Sequence, residues 1–361
     1  MLPALTDTKP SLADVFPSCF AAIRGEENRL GLPAVRAAIV LLVDGLGAAA
    51  LAARAGHART LHAASSTIQS GFPTTTASAL ATLTTGTAPG QHGLVGYSVL
   101  DVAHDRVIKQ LSEWQDIDPL TWQPQPTVFE QAVDAGYAAT VIAPGRYRDS
   151  PFTHAVLRGA TYLAAESIAE RLELATGLSG LVYVYVPELD TIAHQHGVES
   201  PQWTVALESL DSLVGALRLP ADAGMLVTAD HGVIDVAPHN HILYDTVPEL
   251  MAGVAHVGGE PRCLQLYLGP DADLGALAAA WHESEDSRSW VATKAEAIEA
   301  GWFGRVRPDV ESRIGDLLVA ARKGVAYYSS TAPDRSRAMV GQHGSWSAAE
   351  LNVPLIRLGA F

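Results

Sequence analysis

Cysteine is almost absent from this 361-residue chain: Cys19 and Cys263 are the only two, and they lie far apart. That excludes a disulfide framework and a thiolate metal centre, and it suits a reducing compartment. Positive charge is scarce as well, with 24 Lys+Arg against 39 Asp+Glu and a formal net charge of −15. Such a balance speaks against a binder of nucleic-acid backbones or anionic membranes. Anionic small molecules stay open, because bound divalent cations reverse the local field. Long hydrophobic runs are missing too: no stretch approaches the roughly eighteen uninterrupted apolar residues of a membrane span. The opening MLPALTDTKPSLADVF lacks a basic region followed by an apolar run, so no signal peptide is expected and the cytoplasm is the expected compartment. Charged residues make up 17% of the chain and hydrophobic ones 48%, which predicts one or two packed α/β domains rather than disorder.

What is present is an alternation of strand and helix. Ala37–Val43 (AAIVLLV), Ala138–Ala143 (AATVIA), Leu181–Val186 (LVYVYV) and Gly224–Ala229 (GMLVTA) are apolar runs of strand length. Bounded by turn residues, they fit strands buried on both faces of a parallel sheet. Leu46–Ala55, Thr127–Ala135, Leu163–Ala175 and Pro201–Leu217 read as the intervening helices, and residues 97 to about 126 as polar and irregular. Three runs lead into an aspartate, at Asp44, Asp190 and Asp230. One such Asp is an ordinary turn residue, but three converge on one sheet edge if the strands are parallel, where open α/β sheets bind ligands. The predicted organisation is an N-terminal arm (1–36), a core (37–237 and 332–361) and an inserted cap (238–331). The cap carries strand candidates at Leu264–Leu268 and Val325–Ser329, a helix at Leu274–His282, and three tryptophans. A closing strand, Val353–Leu358, returns to the core.

The chemistry centres on GFPTTTASALATLTTGTAPGQHGLVG, from Gly71 to Gly96. Thr74, Thr75 and Thr76 stand at the mouth of a small-residue helix, where a hydroxyl reads first as an N-cap and second as a nucleophile. Local chemistry does not choose among the three. Elsewhere the chain offers Asp190 and His194, four apart and so on one helical face, adjacent Asp230 and His231, and His343 between glycines. Asp and His are the ligands that hold Zn²⁺, Mn²⁺ or similar ions. Two ions about 4 Å apart would clamp the attacking and leaving oxygens of a phosphoryl transfer.

The ordered set V-D-G, F-P-T-x-T, T-G…H-G, D-x-x-x-H, A-D-H-G and G-x-H-G resembles the alkaline phosphatase superfamily, and within it the type I phosphodiesterase/nucleotide pyrophosphatase family. The resemblance covers residues 37 to 358, apart from the cap. It implies a three-layer sandwich, with a mostly parallel sheet and helices on both faces. It implies one ion on Asp190, His194 and His343, and a second on Asp44, Asp230 and His231. It selects Thr76 as the bridging nucleophile, which leaves Thr74 or Thr75 to cap. The expected activity is a two-metal phosphohydrolase working through a phospho-threonine intermediate on a small phosphodiester or nucleotide pyrophosphate. A phosphomonoesterase, a phosphonate hydrolase and a catalytically silent metal-binding module are the alternatives. The family's Asn after the H-G pair is replaced here by Tyr97, whose hydroxyl would have to take over its contact with a phosphate oxygen. Arg146, Arg148 and Lys109 are candidate cations for a monoester, though the sequence favours reading them as surface charges.

Overall fold

A strand that is apolar at every position must be covered on both faces, and all seven residues of β1 (Ala37–Val43) are buried. The computed structural model describes residues 2–4, 9–63 and 65–361, and it places β1 in the middle of a seven-stranded sheet. In chain order β1 is followed by β2 (Ser65–Gln69), a separate hairpin of β3 (Ser98–Asp101) and β4 (Arg106–Lys109), and β5 (Ala139–Ala143). Then come β6 (Thr161–Ala164), β7 (Gly180–Val186) and β8 (Ala223–Thr228). Besides two short two-stranded pairs, the strands β9 (Val254–Glu260), β10 (Cys263–Leu268), β11 (Ser289–Thr293) and β12 (Leu317–Ala321) precede the last, β13 (Asn352–Gly359). The large sheet runs β2-β13-β8-β1-β7-β5-β6. The five strands from β8 to β6 are parallel, and β13 is antiparallel to both of its neighbours.

The principal helices are α1 (Val15–Arg24), α2 (Ala48–Ala53), α3 (Thr76–Thr85), α4 (Val128–Asp134) and α5 (Ile168–Thr176), then α6 (Glu188–His196), α7 (Pro201–Ala216) and α8 (Leu274–Glu285). The arm is part of the core: Phe16 of α1 meets Phe129 and Tyr183 edge-on at 5.0 and 5.9 Å. At about 1.5–3 kcal/mol for each large apolar side chain buried, helix α1 is a structural layer of the sandwich.

In the inserted unit β9, β11 and β12 were not foreseen, and three features of the core differ from the sequence reading. The stretch 97–126 contains the β3–β4 hairpin. Strand β2 was not foreseen, because Ser65–Gln69 (SSTIQ) is polar and mostly exposed at the sheet edge. Residues 161–164, partly read as helix, form the opposite edge strand. The helix starts later, at Ile168, because Ser167 caps it by accepting from Glu170 N–H at 3.1 Å.

The second sheet, β9-β10-β12-β11, is antiparallel throughout. Its side chains alternate between two clusters. Leu264, Leu266, Leu317 and Val319 join Trp281 of α8 on one face, while Cys263, Leu318 and Ala320 join Phe72, Trp302 and Trp346 on the other. Phe72 belongs to the turn before α3; its ring stacks on Trp346 at 4.6 Å and meets Trp302 edge-on at 4.8 Å. The inserted unit therefore shares its core with the threonine turn.

Candidate active site

Parallel register brings the three aspartates together. Val43 pairs with Val186 and Leu42 with Thr228, so Asp44, Asp190 and Asp230 emerge at the same edge of the sheet. Asp230 is fixed by its backbone surroundings: Gly45 N–H and His231 N–H both donate to its Oδ1, at 3.1 and 3.0 Å. Asp44 accepts a short hydrogen bond from Tyr185 OH on its Oδ2. The other oxygens of these groups, Asp44 Oδ1, Asp190 Oδ1 and Asp230 Oδ2, are buried and have no hydrogen-bond partner among the described residues.

The histidines close the same space. His231 Nε2 lies 3.5 Å from Asp44 Oδ1, 3.4 Å from Asp230 Oδ2 and 3.1 Å from Thr76 Oγ1. Its ring stacks on that of His343, with 3.6 Å between centroids. His343 directs Nδ1 at Thr74 O, 2.9 Å away, and His194 directs Nδ1 at Gly341 O, 2.8 Å away. In each ring the other nitrogen is thereby presented to the acidic cluster, the usual way a ligating imidazole is oriented. His194 Nε2 is 3.2 Å from Asp190 Oδ2.

Two groups of donor atoms fall within 4.8 Å of one another, Asp44–Asp230–His231 and Asp190–His231–His343. The first coincides with one set implied by the family resemblance. In the second, His231 stands where that reading places His194, which remains adjacent through its contact with Asp190. Electrostatics point the same way. Burial, then the carboxylates of Asp230 and Asp190, push Asp44 well above the usual carboxylate range. Burial opposes ionisation of Asp190, but His194, His343 and His231 overcome it and hold the group low. His194 is lowered by burial and raised, with a net rise, by Asp190 and the Gly341 carbonyl. Burial, then His231, drives His343 well down. Three carboxylates with orphaned oxygens, beside histidine rings already turned toward them, are a donor set that divalent cations fit.

Thr76 is the first residue of α3, with its hydroxyl on the cluster and the helix N-terminus behind it. The expected caps are not made. Thr75 occupies the N-cap position but makes no capping bond, and among the described residues its buried Oγ1 has no hydrogen-bond partner. Thr74 Oγ1 is committed elsewhere: it donates to Ser345 O at 2.7 Å and accepts from Gly344 N–H at 3.1 Å. Thr74 thus ties the His343 loop to the turn.

Two cavities meet at Thr76 and Asp190. One, of about 230 Å³, has walls that include Tyr147, Phe152, Tyr162, Tyr183 and Tyr185. The other, of about 400 Å³, is bordered by Thr75, Tyr97, Lys109, Glu260, Gln342 and His343. Burial raises the Tyr97 hydroxyl, which stays protonated and available as a donor. Of the three cations considered, Lys109 reaches the wall of one of these two cavities, where it also bonds Glu113 at 3.0 Å. Arg146 and Arg148 instead lie over Tyr147 and Tyr162, at 4.6 and 5.6 Å. Sequence reasoning missed Tyr185 and Glu260. The period-two tyrosines of LVYVYV hinted at the former, whereas Glu260 sits at the end of β9 and carries no motif.

Strand-terminal acids, a hydroxyl at a helix mouth and oriented imidazoles on this sheet define a phosphoester hydrolase of the alkaline-phosphatase-type fold, in a class that depends on divalent metals. Among solved structures, phosphonoacetate hydrolase from Sinorhizobium meliloti in complex with phosphonoformate is similar, at 20% identity and TM-score 0.69, over 90% of this chain and 91% of that one. An inactive variant of murine ectonucleotide pyrophosphatase/phosphodiesterase 5 in complex with AMP is similar at 18% identity and TM-score 0.67, over 89% and 87%. Residues 38–346 match the type I phosphodiesterase/nucleotide pyrophosphatase family, and the chain belongs to it.

Proposed function

We propose that the protein is a two-metal phosphodiesterase or nucleotide pyrophosphatase that works through Thr76. The observation carrying this reading is the position of Thr76 at the junction of two separate cavities. A phosphodiester has two organic arms to place and a monoester has one. Asp44, Asp230 and His231 would hold one ion, and Asp190, His194 and His343 the other. Bound zinc or manganese would supply the positive charge that acidifies a hydroxyl and stabilises a leaving oxygen. Thr76 Oγ1 attacks phosphorus in line; its bond to phosphorus forms as the bond to one ester arm breaks, and water later cleaves the phospho-threonine. The N-terminus of α3 favours the negative phosphoryl group, and the Tyr97 hydroxyl is placed to donate to one of its oxygens. Supporting comparisons are the AMP complex of the pyrophosphatase relative and the ligands of the phosphonate hydrolase.

Lys109 in the second cavity favours one alternative, a phosphonate or other substrate whose second arm is itself anionic. The two separate sheets support the division into core and inserted unit. Cys19 and Cys263, both free and buried, support a reducing, cytoplasmic setting. Among the described residues, no helix is long and apolar enough to cross a membrane.

The test compares bis(4-nitrophenyl) phosphate with 4-nitrophenyl phosphate on protein supplied with Zn²⁺ or Mn²⁺. The diester should be preferred, and Thr76→Ala should lower its turnover by on the order of a thousandfold or more while metal content is kept. Preference for the monoester, or full turnover by the metal-loaded variant, would refute the reading.

A further inference from the structure

The inserted unit delivers a charged pair to the heart of the molecule. Arg262, in the turn between β9 and β10, and Glu350, in the short helix Ala348–Leu351 before β13, are both wholly buried. Arg262 Nε donates to Glu350 Oε1 at 3.1 Å and Nη2 to Oε2 at 2.6 Å. The rest of the guanidinium bonds the carbonyls of Ala321, Lys323 and Val325 in the inserted unit. Glu350 then reaches both loops that carry ligand histidines. Its Oε1 accepts from Ser345 N–H at 3.0 Å, two residues past His343, and its backbone carbonyl accepts from Gly232 N–H at 2.8 Å, one residue past His231. Ser345 Oγ also donates to Ala321 O at 2.7 Å.

We infer that Arg262 and Glu350 are positioning residues that set the His343 loop against the His231 loop, making the inserted unit part of the metal-binding apparatus. The inference rests on the metal reading of the site. A buried ion pair is poor evidence of stability by itself, since apolar replacement of both partners is often neutral. What apolar side chains cannot replace is the acceptor for Ser345 N–H. Without it the 343–345 loop keeps its bonds to Thr74 and Ala321 but loses the one that sets it against the His231 loop.

The experiment follows from that asymmetry. Three proteins are compared: wild type, R262M/E350L, and R262M/E350Q, which restores an amide oxygen for Ser345 without the charges. Metal affinity is measured by chelator competition, ligand geometry by the visible spectrum of the Co²⁺-loaded protein, and folding by thermal unfolding of the metal-free protein. R262M/E350L should stay folded but bind metal about 10–100-fold more weakly with an altered Co²⁺ spectrum, as expected when outer partners of ligands are lost. R262M/E350Q should recover most of both. Equal affinity and identical spectra in all three proteins would show the pair to be packing alone. If the double variants do not fold, R262K, which keeps the charge but loses the planar fork, should show an intermediate loss of affinity, and wild-type affinity there would overturn the inference. A wild-type protein that binds no divalent ion would defeat the metal reading and this inference with it.

Discussion

Acid should cost the protein stability at a residue outside the candidate site, His92. The ring is fully buried; Leu94 N–H donates to its Nδ1 at 3.1 Å, so Nε2 carries the proton and donates to Thr82 Oγ1 at 3.0 Å. Burial, helped by the positive charges of Arg307 and Arg313, lowers its pKa from 6.5 to about 3. Between those values the unfolded chain binds a proton that the folded chain refuses, so stability rises with pH across the interval. The contribution is complete above pH 6.5 and is lost progressively as pH falls toward 3. At pH 5 the loss is about 2 kcal/mol, a large share of ordinary domain stability. Urea unfolding at pH 7 and pH 5 measures it, with His92→Gln as the comparison because its amide still offers Thr82 a donor. The variant should cost about 1–2 kcal/mol at pH 7. Its further loss on going to pH 5 should be smaller than that of wild type by about 2 kcal/mol. Identical pH dependence in the two proteins would refute the assignment of a neutral, proton-refusing His92.

Two other expectations concern the site. Tyr97→Phe should lower kcat/KM for a diester by roughly 10–100-fold, the worth of a hydrogen bond to a charged oxygen, with metal content unchanged; unaltered kinetics would make the ring a wall only. Chelation should lower the melting temperature, because Asp44, Asp190 and Asp230 then face one another uncompensated, and added Zn²⁺ or Mn²⁺ should restore it. A melting curve indifferent to chelator would count against ions bound at these carboxylates.

The core of the fold was legible because it obeys one rule, that a strand covered on both faces is apolar throughout. Strands β1, β5, β7 and β8 announce themselves that way, and their common direction makes the convergence of Asp44, Asp190 and Asp230 follow from topology. The motif order then added the histidines and the preference for Thr76. Edge strands escaped because their exposure removes the signal: Ser65–Gln69 is polar, and Thr161–Ala164 merges into a helix whose start only the Ser167 cap reveals. The roles of Thr74 and Glu350 escaped for another reason. Each is defined by partners about 270 and 120 residues away in sequence, Ser345 for the one and Gly232 for the other, and no local pattern encodes such pairings. Thr74 looks like a cap because caps are local, while its hydroxyl serves a distant loop.

Strand β13 carries a consequence for biosynthesis. It lies inside the sheet between β2 and β8, although β2 leaves the ribosome nearly 290 residues earlier. Until residues 352–359 emerge, β8 is an open edge and β2 has no neighbour in the sheet. A nascent chain must therefore hold a partly assembled sheet through most of translation, exposing strand edges of the kind that chaperones and aggregation both recognise. Any truncation before residue 352 would fix the chain in that condition, so soluble expression should depend on a segment that contributes no residue to the candidate active site.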